Sequence, residues 1–218
     1  LHNVAHSFPT RRSSDLFMDF DVEQYNDCRF VYLLPISKTK ALVEYTGFSA
    51  EAISDEQYDR ELKNYIENKL LQKTYTILEH EKGEIPMYES AFINTFGNRV
   101  INIGTAGGYS KPSTGYTFYF TQQNIQKLII QLEQNVSILR PPVRKWRYSI
   151  YDKTLLDVMN RKEIETRSVF SDLFRKNRIS DLLAFLNEES TLAQDARIMN
   201  SVPKSTFVSS AFRALLKR

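Results

Sequence analysis

The sequence predicts an α+β fold, and three observations carry that prediction. Strand-forming runs with two-residue alternation fill the first part of the chain. A glycine-rich segment, Val100–Phe118, interrupts the pattern. After Pro141-Pro142 the β-rich character stops and one helical period follows another.

The elements follow in order. Phe17–Phe20 reads as the end of a strand. Phe30–Ile36 and Ala41–Thr46 are rich in β-branched and aromatic residues and are joined by the short polar run Ser37–Lys40, which makes them a hairpin. Pro35 stands near a strand end, where a missing N–H is tolerated. Ser54 to Gln72 reads as a helix: Ser54 caps it, Asp55 and Glu56 suit its first turn, and Tyr58, Leu62, Tyr65, Ile66 and Leu70 recur at helical spacing. Thr74–His80 returns to strand and Gly83–Met87 to loop. Val100–Ile103 reads as a short buried strand, followed by a helix from Tyr116 to Gln134 that opens near Gly115. Tyr151–Arg161, Ile164–Phe174, Ile179–Leu186, Leu192–Met199 and Phe207–Leu216 read as helices. The division is therefore residues 1–16, 17–98, 99–136 and 137–218: a tail, a sheet region with one helix, a glycine-rich region and a helical region.

Composition narrows the function classes. A hydrophobic fraction of 42% with twelve Tyr and fourteen Phe supplies a packed core, or the lining of a site for a large apolar ligand. A net charge of +3 is too small to argue for nucleic acid. The single Cys28 excludes an internal disulfide and fits a reducing compartment. No apolar run approaches the roughly 20 residues of a membrane-spanning helix.

Two features carry candidate chemistry. Gly104, Gly107, Gly108 and Gly115 gather in one segment of a chain with seven glycines, between a strand and a helix. Glycines let a backbone approach a ligand closely and a helix N-terminus favours negative charge, which suits an anionic cofactor; a plain turn is the alternative. The second feature is Glu44, in the middle of an apolar strand. Alternation puts Leu42, Glu44 and Thr46 on one face and Val43 and Tyr45 on the other. On an apolar face the carboxyl is partly desolvated and becomes a proton donor near neutral pH; on a wet face it is an ordinary exposed acid, and since acids are rarely buried the strand alone favours the wet face. His80, Glu81 and Glu84 read as a solvated turn without metal-ligand spacing, and Cys28 as a quiet thiol. The basic run Arg140–Arg147 reads as a solvated helix entry, with phosphate or membrane contact as the alternative.

His6–Leu16 resembles the translation of a short-read sequencing adapter. Residues 1–16 are accordingly expected to be an artefactual or disordered tail, packing poorly at Phe8 and Leu16, and the chain a C-terminal piece of a longer protein.

Five blocks in order, Phe17–Phe20, Tyr32–Ser37, Ala41–Thr46, Gly83–Met87 and Asn102–Gly108 with Ser113–Phe118, resemble the flavin-binding lycopene cyclases of the bacterial type, and Phe170–Asn177 and Phe185–Ser190 resemble the helical tail of that family. The resemblance implies a partial FAD-dependent flavoprotein fold: an antiparallel substrate-binding sheet, a remnant of a Rossmann-like FAD domain and a helical C-terminal region. It implies cyclisation of lycopene ends to β-rings with reduced FAD as a non-redox cofactor and NADPH as the electron source. Glu44 matches the family's proposed acid, and Gly104, Thr105, Ala106, Gly107, Gly108 and Gly115 fall in its FAD segment. Tyr45, Tyr116, Phe118 and Phe120 are candidates to face the cation. No metal is implied, no nucleic acid, and the expected place is cytoplasmic, peripheral on the inner membrane. The G-x-G-x-x-G fingerprint that grips the pyrophosphate is missing, so the chain as it stands is expected to retain little FAD. The rival readings are a related flavin monooxygenase or prenyl reductase, and a non-catalytic module that binds apolar ligands or docks on membranes.

Overall fold

The computed structural model describes residues 2–6, 16–88, 95–96, 100–135 and 144–216. The chain divides into two compact units, Leu1–Glu84 and Ile85–Arg218. Where the sequence reading drew boundaries at 98 and 136, the contacts divide the chain once, after Glu84, and the glycine segment shares a unit with the helices.

The first unit is a five-stranded antiparallel sheet with one helix. Its strands are β1 (His2–His6), β2 (Leu16–Asp19), β3 (Cys28–Pro35), β4 (Lys40–Phe48) and β5 (Thr76–Glu81), in the spatial order β2-β3-β4-β1-β5. Residues 2–6, expected in a tail, instead form β1 between β4 and β5, with His2 opposite Glu44 on one side and Glu81 on the other. Ladder bonds use main-chain groups that every non-proline residue carries, so a strand can join two open edges whatever its side chains. Phe8 lies outside the described residues. The β3–β4 hairpin closes with Ile36 and Ser37 N–H both donating to the Lys40 carbonyl, at 2.7 and 2.9 Å.

Helix α1 (Asp55–Asn64) starts where the sequence placed it, with the Ser54 hydroxyl accepting from Gln57 N–H. It runs on as one wider π turn, Tyr65–Lys69. The spacing of Tyr58, Leu62, Tyr65 and Ile66 puts all four on one stripe, which buries against Val31, Leu33, Ala41, Val43 and Tyr45 of the sheet. The Tyr65 hydroxyl donates to Asp19 Oδ2 at 2.7 Å and so ties the helix to β2. Burial, then the bond to Asp19, push that phenol far above its ordinary pKa.

The second unit begins with a two-stranded ribbon, β6 (Thr95–Phe96) and β7 (Val100–Ile101). The strand expected to be buried at Val100–Ile103 is not: Val100 and Ile103 are exposed, because among the described residues no second layer covers the two-strand ribbon. Then come the glycine segment and six helices: α2 (Phe118–Glu133), α3 (Trp146–Arg161), α4 (Thr166–Lys176), α5 (Ile179–Leu186), α6 (Leu192–Asn200) and α7 (Lys204–Leu216). Thr191 and Gln194 form a capping box that starts α6. Against α3, α7 places Arg213, whose Nη2 is 2.9 Å from Asp157 Oδ2. Burial opposes ionisation of Asp157, but the Ser210 hydroxyl and the Arg213 guanidinium hold it below the ordinary carboxylate range.

A buried charge cluster holds the glycine segment to the helices. Lys111 Nζ lies 2.8 Å from Asp152 Oδ1 of α3, and both side chains are almost fully buried. Ser113 Oγ donates to the same Asp152 oxygen at 2.6 Å. Arg144 Nη1 reaches Glu188 at 3.5 Å and Asp152 at 3.7 Å, while its Nη2 donates to the Ser110 carbonyl at 2.8 Å. Glu188 also stands 3.7 Å from Lys111. Burial raises the Glu188 pKa, against the pull of Lys111 and Arg144. Two cations thus meet two carboxylates. Arg147 does the same one turn away, 3.1 Å from Asp195 and donating to the Ser190 carbonyl at 2.6 Å. The basic run expected to be a solvated helix entry therefore turns Arg144 and Arg147 inward, because buried carboxylates on α3, α6 and the α5–α6 connection need counter-charges; Arg140 and the Pro pair lie outside the described residues.

Two stability outcomes follow from this packing. Leu62→Ala is expected to cost about 2–5 kcal/mol in denaturant unfolding, since it empties a site that is 1% exposed; a cost under about 1 kcal/mol would mean that the α1 stripe is not the core. Lys111→Met is expected to cost about 3–5 kcal/mol by leaving Asp152 buried without its closest cation, and adding Asp152→Asn is expected to restore a large part of the loss. Equal stability of the single and double variants would show that the pair does not hold the segment.

Candidate functional site

The two faces of the sheet differ, and the strand register says which residues share each. In the β3–β4 ladder Tyr32 stands opposite Glu44, Phe30 opposite Thr46, Leu34 opposite Leu42 and Cys28 opposite Phe48. Directly opposed residues point to the same side. This side therefore gathers Cys28, Phe30, Tyr32, Leu42, Glu44, Thr46 and Phe48. The other side, with Val31, Leu33, Val43 and Tyr45, is closed by α1.

The Glu44 side is aromatic. Phe30 is fully buried among neighbouring rings, with centroids 5.5 Å from Phe20, 5.1 Å from Tyr32 and 5.3 Å from Phe48. Glu44 is the sole carboxylate that β3 and β4 put on that side, and it is half-buried there. Thr46, two residues on, donates its hydroxyl to Glu44 Oε1 at 3.1 Å. Burial and, after it, the charge of Glu44 push the Tyr32 phenol well above its ordinary pKa, so it stays neutral and keeps its proton.

Tyr45, named from sequence as an aromatic that could face a cation, does not share this side. It packs edge-on against Tyr58 of α1, with ring centroids 6.0 Å apart, because its position is one residue out of phase with Glu44. The residue in phase is Tyr32, which sequence reasoning missed although the hairpin register contains it. His80 stays on the exposed β5 strand, 3.7 Å from Asp59. Cys28 is a buried core thiol.

In the second unit the glycine segment makes a tight double turn. Gly104–Gly107 is one turn of 3₁₀ helix, and Gly108 ends it in the left-handed region at φ +74°. The Gly108 and Tyr109 N–H groups donate back to the Thr105 and Gly104 carbonyls at 3.1 and 2.9 Å. At Gly107 a Cβ would meet the Asn102 carbonyl oxygen at 2.4 Å, so only glycine fits. Gly104 and Gly115 also have positive φ. Each of these glycines is thus needed by the loop's own path. Gly104 is the one whose Cβ position faces open space, so a ligand can approach the backbone there. Thr105 is half-buried and its hydroxyl accepts from Ser110 Oγ at 3.0 Å, while Ala106 is exposed. The next helix opens at Phe118, three residues after Gly115. Of the aromatics named here from sequence, Phe120 packs against Tyr109 and under Arg144, Tyr116 is half-buried and Phe118 is exposed.

The residues that anchor this loop, Lys111, Arg144, Asp152 and Glu188, were not picked out from sequence. A signal was present: Asp152 lies four residues after Tyr148 and six before Val158, on the buried stripe of its helix.

The backbone is thus open to approach at Gly104, on a loop tied from behind by buried ion pairs. The pyrophosphate-gripping fingerprint is not in this sequence.

The family model for lycopene cyclase protein matches residues 6–215. A curated lycopene beta-cyclase of Pantoea ananas is 33% identical over 114 residues, a stretch that is 51% of this chain and 30% of the relative. The chain thus spans about a third of that relative's length. No solved structure matches the chain significantly. An acid centred on an aromatic sheet face, a glycine turn anchored to a helical unit, and a family match along nearly the whole chain lead to one conclusion: this chain belongs to the lycopene cyclase family.

Proposed function

We propose that this chain carries the acid that cyclises the ends of lycopene, or of a related acyclic carotenoid, to β-rings, and that the acid is Glu44. The observation that supports it is the one carboxyl that β3 and β4 place on an aromatic sheet face, hydrogen-bonded by a neighbour on its own strand.

The chemistry asked of Glu44 is a proton cycle. Its carboxyl gives a proton to the terminal double bond of the acyclic end, leaving a tertiary cation. The electron pair of the next double bond in reach attacks that cation, a carbon–carbon bond closes the six-membered ring, and the charge moves to a ring carbon. Loss of a proton from the adjacent ring carbon makes the ring double bond, and the carboxylate of Glu44 accepts it. One proton enters and one leaves, so product and substrate are isomers and no electrons are exchanged. A water-poor aromatic face favours each step, because it leaves the cation no nucleophile but the substrate's own double bond. Tyr32, opposite Glu44 in the ladder, is the aromatic residue in register to face a developing cation there.

Gly104, Thr105, Ala106, Gly107, Gly108 and Gly115 are the residues we assign to FAD, supplied in reduced form with NADPH as the electron source. What the bound cofactor supplies is negative charge beside a developing cation. Glu44 and the glycine segment lie in separate units.

We also propose that the protein works at the cytoplasmic face of the inner membrane as a peripheral protein. The substrate is a hydrocarbon, and Trp146, Val208, Phe212 and Leu216 are each more than half exposed. No helix among the described residues is long and apolar enough to cross a membrane.

Glu44→Gln in the full-length gene product tests the assignment. It keeps the side chain's shape and removes the transferable proton. Lycopene conversion by reduced enzyme in lipid is expected to fall about 10²-fold or more, with flavin content near normal. Cyclic product at a rate within a fewfold of the parent would place the acid elsewhere.

A further inference from the structure

We infer that Thr46 is a positioning residue for Glu44: its hydroxyl, on the same strand and face, ties down Oε1 so that the transferable proton is carried on Oε2. The inference rests on Glu44 being the acid.

The geometry supports it in four ways. The Thr46 hydroxyl is 3.1 Å from Glu44 Oε1. The two residues are i and i+2 on β4, and a strand sets that spacing with little freedom. Threonine is branched at Cβ, so its hydroxyl sits on a stiff stem and does not sample many rotamers. Phe30, which faces Thr46 across the ladder, is fully buried, so the threonine stands beside a filled position. A long acid side chain has several rotamers, and a hydroxyl two residues away favours those that keep Oε1 at the threonine.

The bond has a chemical consequence besides orientation. A hydroxyl that donates to a carboxylate stabilises the charged form. That form is the one Glu44 adopts after it has given up its proton, while the cation is still present. Thr46 therefore favours proton donation and holds the oxygen pair still until the proton returns.

The test is kinetic and uses the full-length gene product in lipid with reduced flavin. Thr46→Val keeps the branched shape and removes the hydroxyl. Thr46→Ser keeps the hydroxyl. The turnover rate of the valine variant is expected to fall about 10-fold or more, the effect of losing a hydrogen bond to a charged group. The loss is expected in kcat with KM little changed, and the serine variant is expected to stay close to the parent in both. A valine variant with the parent's kcat overturns the inference. So does a loss of rate that serine does not rescue, since that is the signature of a packing defect. If valine fails to fold, judged by flavin content, Thr46→Ala is read by the same two criteria. Glu44→Gln assayed beside them separates the two ideas: an inactive Gln variant with an unaffected Val variant sinks the role of Thr46 alone, and an active Gln variant sinks the acid.

Discussion

In the β3–β4 ladder Val31 meets Tyr45 and Tyr32 meets Glu44, and this two-residue alternation sorts every side chain of the sheet. Val31, Leu33, Ala41, Val43 and Tyr45 of the odd-numbered set are apolar and find their partner in the stripe of α1. Once α1 has closed that side, Glu44, Thr46 and Tyr32 have no choice of face. A slip of one residue would send Glu44 under the helix and Tyr45 to the other side, burying a charge and exposing a ring at once. The hydrophobic pairing with α1 thereby protects the register, and the register places the acid. Core packing and candidate chemistry are two faces of one constraint.

The second unit solves a different problem. A loop with three glycines at positive φ has little conformational preference of its own and loses much entropy on ordering. Its fixing points come from elsewhere in the chain: Asp152 on α3, Glu188 after α5 and Arg144 before α3. Desolvating four charges is costly, and the cluster offsets that cost by pairing each of them and adding the Ser113 and main-chain bonds. The loop's rear is therefore rigid while Gly104 stays open to approach.

Family membership and geometry meet at the same residues. The family match runs from residue 6 to 215 and so takes in both the sheet face with Glu44 and the anchored glycine turn. The sheet puts a carboxyl beside aromatic rings, and the turn leaves backbone open at Gly104.

Much of the fold was legible in the sequence because its signals are local. The hairpin, the Ser54 cap, the stripe of α1 and the helices after Trp146 follow from alternation, capping chemistry and helical period, each contained within a few residues. The side of the strand on which Glu44 lies is also local. Three things were not. Whether the Glu44 side is aromatic depends on which strand pairs with β4 and in what register, so Tyr32 and not the adjacent Tyr45 became its neighbour. The inward turn of Arg144 and Arg147 depends on carboxylates that are 8 to 48 residues away in the chain. The joining of β1 between β4 and β5 depends on main-chain hydrogen bonding that leaves no side-chain signature. The sequence by itself determined which elements form and which residues lie on each face, since those depend on neighbours along the chain. Only the tertiary structure decided what each face meets and which charges are paired, because those energies arise between residues that the chain brings together by folding.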